Sequence, residues 1–240
     1  MARLSGFLFI VFTLLAILAF TQRNNFPEAP TNNISIPEPL QSRSLDTPFT
    51  VEYEENSYQI TPVMDYEMDG LVVSYQHHSG EAMLHKSWSD HLNSADVCII
   101  WGKNIDNPYL NKIDFWNGQF TCNVKTGHQN AWDNFDIYAL SNNHLITENT
   151  WLREKIRSVR IGDHIKVRGM LSNYSTNGRP PRKSSLTRKD TGDGACETIY
   201  VQDFTIIRSM SSPWRLVFYI SLFMSILSLA LYIYSPHTAR

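Results

Sequence analysis

Two uncharged apolar runs bracket the chain and constrain everything between them. The first, "LSGFLFIVFTLLAILAF", covers residues 4–20 and is preceded by Arg3. The second, "LVFYISLFMSILSLALYIY", covers residues 216–234. As a helix the second run reaches about 28 Å, enough to cross a hydrocarbon layer. Neither run carries the polar face that a helix on a soluble domain turns to water. The first is therefore a membrane anchor or a signal sequence, and the small Ala16 and Ala19 leave cleavage open. The second is a transmembrane helix, with Trp214, Tyr219, Tyr232 and Tyr234 towards its ends, where amphipathic rings favour the headgroup layer. Ser221 and Ser225 give it a small-xxx-small spacing that permits close helix contact.

Arg3 favours a cytoplasmic N-terminus, which places the middle of the chain across the membrane. Arg208 and Arg215 weigh against that orientation, so the signal-like character of the first run decides it. The formal net charge of −2 lacks the basic excess that a nucleic-acid binder needs. Three cysteines, Cys98, Cys122 and Cys196, lie in the middle segment without a CxxC pair or a zinc-like quartet. In an oxidising compartment they allow one bridge. Cys98 and Cys122 are the preferred pair because both fall in strand-like runs, and neighbouring strands bring Cα atoms within bridging distance. Three buried thiols are the alternative.

Residues 21–56 are proline-rich, with five prolines between 21 and 50, and are expected to form an extended linker. From residue 57 to 208 the pattern is β-rich. "YQITPV" and "GLVVSYQ" are strand candidates separated by the turn-like "MDYEMDG", followed by "DVCIIWG", "FTCNVK" and "FDIYAL". One convincing helix follows, "NTWLREKIRSV", capped by Asn149 or Thr150. "IGDHIKVRGMLSNY" is a long strand in which Ile165, Val167 and Leu171 face one way, and Gly169 marks a bulge or bend. "ETIYVQDFTII" closes the domain. The order predicts a mainly β, α+β domain: a small OB-like β-barrel with one helix, flanked by the two apolar helices.

The run "SSLTRKDTGDGACETIYV", with "IWGKN" and "IGDHIKVRGML" before it, resembles a group of bacterial membrane-anchored or exported proteins of uncharacterised function. That group shows a pattern like SSLTR-x-DTG-x-GACE-x-IYV after a glycine-containing strand. The likeness is dense over residues 160–203 and implies an integral protein of the bacterial inner membrane with its central domain in the periplasm. It implies no activity and no cofactor, and Cys196 is the one cysteine inside the shared motif.

The loop ahead of the last strand holds five cations, Arg179, Arg182, Lys183, Arg188 and Lys189, among hydroxyls and glycines. Ser185, Thr187, Arg188, Asp190 and Glu197 are the candidate residues for gripping an anionic ligand or a partner. The bland alternative is a solvated loop whose charges pair with one another. A calcium site on Asp190, Asp193 and Glu197 lacks the EF-hand spacing. Cys196 is a candidate reactive thiol, with His164 or Arg188 as the neighbours that could activate it, although no nucleophile–base motif is visible. His77, His78, His85 and His91 cluster in sequence, but their spacing fits no standard metal site. The expectation is a non-enzymatic, membrane-anchored binding or assembly module outside the cytoplasm. It would need no cofactor, would have a membrane-protein partner, and would not bind nucleic acid. The alternative is an envelope protein that handles metal or thiol redox chemistry.

Overall fold

The structure is a computed structural model. It describes residues 2–27, 36–78, 83–118, 120–187, 189–190 and 195–235, apart from the side chains of residues 83–85. It divides into two units. One unit comprises residues 1–27 and 211–240, and the other residues 28–210.

The first unit holds α1 (Ala2–Gln22) and a last helix (Pro213–Tyr234), both long and apolar enough to cross a membrane. Pro213 opens the last helix at a position where a missing N–H costs nothing. Small residues turn inward: Ser5, Ala16 and Ala19 on α1, and Ser221, Ser225 and Ser228 on its partner, are buried. The Thr13 and Ser225 hydroxyls lie 2.8 Å apart between the helices, and the Phe20 and Phe218 rings meet at 5.6 Å. Ser221 and Ser225 thus belong to a contact within this chain, while Leu4, Phe7, Leu216 and Phe223 remain exposed.

The second unit is mixed α+β and mostly sheet. In chain order it contains β1 (Leu40–Arg43), β2 (Phe49–Tyr53), β3 (Asn56–His77), α2 (Met83–Trp88), β4 (Asn93–Ile100) and β5 (Asp114–Gly118). It continues with β6 (Thr121–Lys125), α3 (Gln129–Asp133), β7 (Leu140–Ile146), α4 (Thr150–Arg157), β8 (His164–Thr176) and β9 (Glu197–Arg208). The last helix of the other unit is α5. Seven strands form one sheet in the order β1-β3-β4-β7-β9-β8; β2 also pairs with β3, and β8 pairs back onto β3. All these pairings are antiparallel except β7 with β9. β5 and β6 form a separate hairpin.

Three sequence expectations change. The segment "MDYEMDG" is no turn: β3 runs through it, because Tyr66 and Met68 alternate inward as a strand requires. A bulge at Pro62/Met64 absorbs the proline, which has no N–H for the ladder. β1 and β2 lie inside the stretch expected to be a linker, paired along β3. "FDIYAL" is largely a helical turn at Ile137–Ala139, and the strand is the following "LSNNHLI", β7.

α4 begins where expected, with the Asn149 side chain accepting from the Leu152 N–H at 3.1 Å. Leu152 and Ile156 bury its inner face, while α2 and α3 are further short helices. Buried Arg153 donates to the carbonyls of His91, Leu92 and Thr147 at 2.8–3.0 Å, tying α4 to the start of β4. One core cluster gathers Tyr58, Ile60, Leu92, Ile146 and Tyr174. In β8, Ile165, Val167 and Leu171 are buried, and the register shifts at Arg168/Gly169 as the glycine suggested. Beyond that shift Met170 is buried as well.

The bridge between Cys98 on β4 and Cys122 on β6 is present, with Cα atoms 5.7 Å apart. It pins the β5–β6 hairpin to the main sheet. Ser74 on β3 and Asn117 on β5 add a hydrogen bond between the same two layers.

Candidate functional site

β4, β7 and β9 lie side by side, and their register sets several polar residues on one face. Asp96 on β4 faces His144 on β7, and Cys98 faces Asn142. Across the parallel pair, Asn143 meets Glu197 and His144 meets Thr198, so Cys196 enters β9 beside Asn142. Alternation along a strand puts Asn142 and His144 on the same side.

Asp96 Oδ1 lies 2.6 Å from His144 Nδ1. The same oxygen accepts from Asn93 Nδ2 at 2.8 Å and lies 3.2 Å from His78 Nε2. Burial alone would raise the Asp96 carboxyl, but the charge and hydrogen bonds of His144 and His78 hold it well below the usual range. For His144 burial again opposes the charge, and the Asp96 carboxylate overrides it. The Cys196 sulfur adds a smaller contribution through its hydrogen bond and charge, and the imidazole is pushed up to about 10. Nδ1 is taken by Asp96, which leaves Nε2 as the remaining ring nitrogen. Cys196, His144 and Asp96 therefore form a sulfur–imidazole–carboxylate line.

Cys196 is a free, half-buried thiol. Its Sγ–H donates to the Phe120 carbonyl at 2.8 Å, and Sγ accepts from Asn142 Nδ2 at 3.4 Å. Asn117 Nδ2 in turn donates to Asn142 Oδ1 at 3.4 Å, so the hairpin orients the amide that faces the sulfur. The Phe120 ring stands edge-on to His144 and stacks with Trp88.

A cavity of about 490 Å³ opens on this line and is lined by Cys196, His144, Phe120 and Trp88. Pro180 and Pro181 extend its wall. Arg182 caps the Phe120 ring at 4.0 Å and pairs with buried Asp90 at 3.0 Å, while Tyr174 donates to the same carboxylate at 2.9 Å.

Of the loop residues expected to bind a ligand, the described ones lie elsewhere. Ser185 is buried; its hydroxyl pairs with Asp190 and also meets the Thr187 carbonyl, and its N–H donates to the Cys196 carbonyl at 2.9 Å. Glu197 is buried at the start of β9. None of Ser185, Thr187, Asp190 and Glu197 lines the cavity, whereas Arg179, Arg182 and Lys183 from the same loop do. Arg188 and Asp193 lie outside the described residues.

The histidines disperse. His77 is exposed, His78 turns inward to Asp96, and His91 lies 2.8 Å from Glu54 Oε2. The His85 side chain is outside the described residues. His164 lies on β8 near Asp69, so the imidazole beside Cys196 is His144 instead. Among the described residues, no group of three or more His, Cys, Asp or Glu is placed to hold a metal ion. Asn142 and His144 escaped the sequence reading because β7 spells "SNNH" at its centre, which carries no apolar alternation, and Asp96 on β4 because its partner His144 lies 48 positions away. Compared with models of known protein families, with curated proteins and with solved structures, the chain matches none of them.

Proposed function

We propose that this chain is a membrane-anchored thiol enzyme of the acyl-transfer or acyl-hydrolysis class. Cys196 is its nucleophile, His144 its proton carrier and Asp96 the positioning residue. The observation that carries this is the His144 ring, held by Asp96 at Nδ1, influenced by the Cys196 sulfur, and lining the same cavity as that sulfur. An imidazole oriented by a third group beside a thiol, the pair sharing one proton, is the arrangement that activates a cysteine. With the shared proton on His144, the Cys196 sulfur attacks the carbonyl carbon of a bound ester, thioester or amide, forming the S–C bond and placing the negative charge on the carbonyl oxygen. The leaving group departs with the proton carried by His144. Water then attacks the acyl-enzyme, gives its proton to His144, and the C–S bond breaks to restore Cys196. The Asn142 side-chain amide is the donor for the developing oxyanion.

The domain is read as an OB-like barrel. β3, β4, β7, β9 and β8 pair in sequence, β8 returns to β3, and α4 connects β7 to β8. We place it in the bacterial periplasm, with α1 and α5 crossing the inner membrane. The Cys98–Cys122 bridge suits an oxidising compartment. A binding module without chemistry would use the same cavity, but nothing in such a role calls for a buried Asp–His pair aimed at a thiol.

The test uses the full chain in detergent, with 4-nitrophenyl acetate as probe and peptide mass spectrometry as readout. Cys196 should become acetylated, and His144→Ala should slow both acetylation and alkylation of Cys196 by iodoacetamide at neutral pH by at least about 100-fold. Equal rates in the two proteins would sink the proposal.

A further inference from the structure

Resting on the assignment of Cys196 as nucleophile, we infer that the cavity selects an acyl substrate with a flat apolar body and an anionic end. Its inner walls are aromatic and proline surfaces. Trp88 and Phe120 stack with ring centroids 6.0 Å apart and planes 19° from parallel, and Pro180 and Pro181 extend the surface outward. Such walls take a planar or branched hydrocarbon group.

Among the described residues, the charges around the mouth are unbalanced. Of those that line the cavity, Asp90 and the cations Arg179, Arg182 and Lys183 carry charge, besides the site's own His144. Asp90 is already matched: Arg182 Nη1 lies 3.0 Å from its Oδ2, and Tyr174 donates to its other oxygen. Arg182 is also covered by the Phe120 and Trp88 faces, so it belongs to the wall. Arg179 and Lys183 are exposed at the rim and stand as surplus positive charge. Arg179 gives one nitrogen to the Ser87 carbonyl, which fixes the guanidinium at the α2 edge of the opening. A substrate lying with its carbonyl at Cys196 and its body along the Trp88–Phe120 wall reaches this rim with its far end. A carboxylate, sulfonate or phosphate there meets two cations, and an ammonium there meets repulsion.

The experiment compares alkylation of Cys196 in the full-length protein in detergent by three reagents: iodoacetamide, an iodoacetanilide bearing a carboxylate, and the same anilide bearing an aminomethyl group. The carboxylate reagent should label at least about tenfold faster than its cationic twin, and the ratio should shrink at about 0.5 M salt as screening sets in. The double variant Arg179→Ala, Lys183→Ala should bring the ratio below about twofold, with the salt series on unmodified protein as a control free of folding effects. Equal rates, or a faster cationic reagent, while iodoacetamide labelling still depends on His144, would overturn the substrate class alone. Iodoacetamide labelling independent of His144 would overturn the catalytic assignment beneath it.

Discussion

Asp96 and His144 oppose each other directly across β4 and β7, both buried, with Oδ1 and Nδ1 2.6 Å apart. Two strands that exchange a charge in this way link the proton inventory of the site to the stability of the sheet. His144 moves from an ordinary 6.5 to about 10. A raised base stabilises fully below its unfolded value and loses that contribution as pH climbs through its folded value. Asp96 moves down from 3.8, so its contribution is present above that value and fades only in stronger acid. Stability should therefore fall between about pH 6.5 and 10, by up to roughly 5 kcal/mol, and His144→Gln should flatten that slope. Chemical denaturation midpoints across this range measure it. An unchanged slope in the variant would place the pH dependence elsewhere.

The Asn142 amide is fixed at both ends, accepting from Asn117 and facing Cys196 Sγ. An oxyanion donor matters to attack on a carbonyl and hardly at all to displacement of iodide. Asn142→Leu should therefore slow acylation by 4-nitrophenyl acetate by about 100-fold, and alkylation by iodoacetamide far less. Matching losses in the two reactions would instead mark Asn142 as a residue that merely packs the thiol.

The disulfide joins residues 24 positions apart and carries the hairpin whose Phe120 carbonyl holds the Cys196 thiol. Closing a loop of that length restricts the unfolded chain by about 3 kcal/mol. The Cys98→Ala, Cys122→Ala variant should lose roughly that much stability in urea. It should also label faster at Cys196, because the Phe120 carbonyl is no longer held in place. Slower labelling in the variant would show that the hairpin's contact positions the thiol for reaction.

The architecture was legible wherever burial is apolar. β4, β8 and β9 announce themselves through Val97, Ile99, Val167, Ile199 and Val201, and α4 through Asn149 and its Leu152–Ile156 stripe. The bridge was legible too, since Cys98 and Cys122 each sit in a β-branched run. The candidate site was legible only at Cys196. β7 buries Ser141, Asn142, Asn143 and His144, residues whose inward turn depends on partners far away in sequence, 46 to 54 positions in the case of Val97, Asp96 and Cys196. No local period announces a polar side chain that is buried because of such a partner. The same holds for Ser185: its hydroxyls-and-glycines setting suggested a ligand, and what it holds is its own loop, through Asp190 and the Cys196 carbonyl.

Gly169 separates steric overlap from backbone preference. A Cβ built there lies 2.1 Å from the Tyr200 carbonyl oxygen on β9, so the two strands must part to admit it. Gly178 sits at φ +73° with nothing within 4 Å of its Cβ, so substitution there meets only the left-handed backbone penalty. Gly169→Ala should therefore cost about 3 kcal/mol and Gly178→Ala about 1 kcal/mol in thermal or urea unfolding. Because β9 also carries the entry of Cys196, the first variant should further slow Cys196 alkylation while the second leaves it alone. Equal costs for the two variants would mean that β8 and β9 approach less closely at Gly169 than the register at Arg168/Gly169 requires.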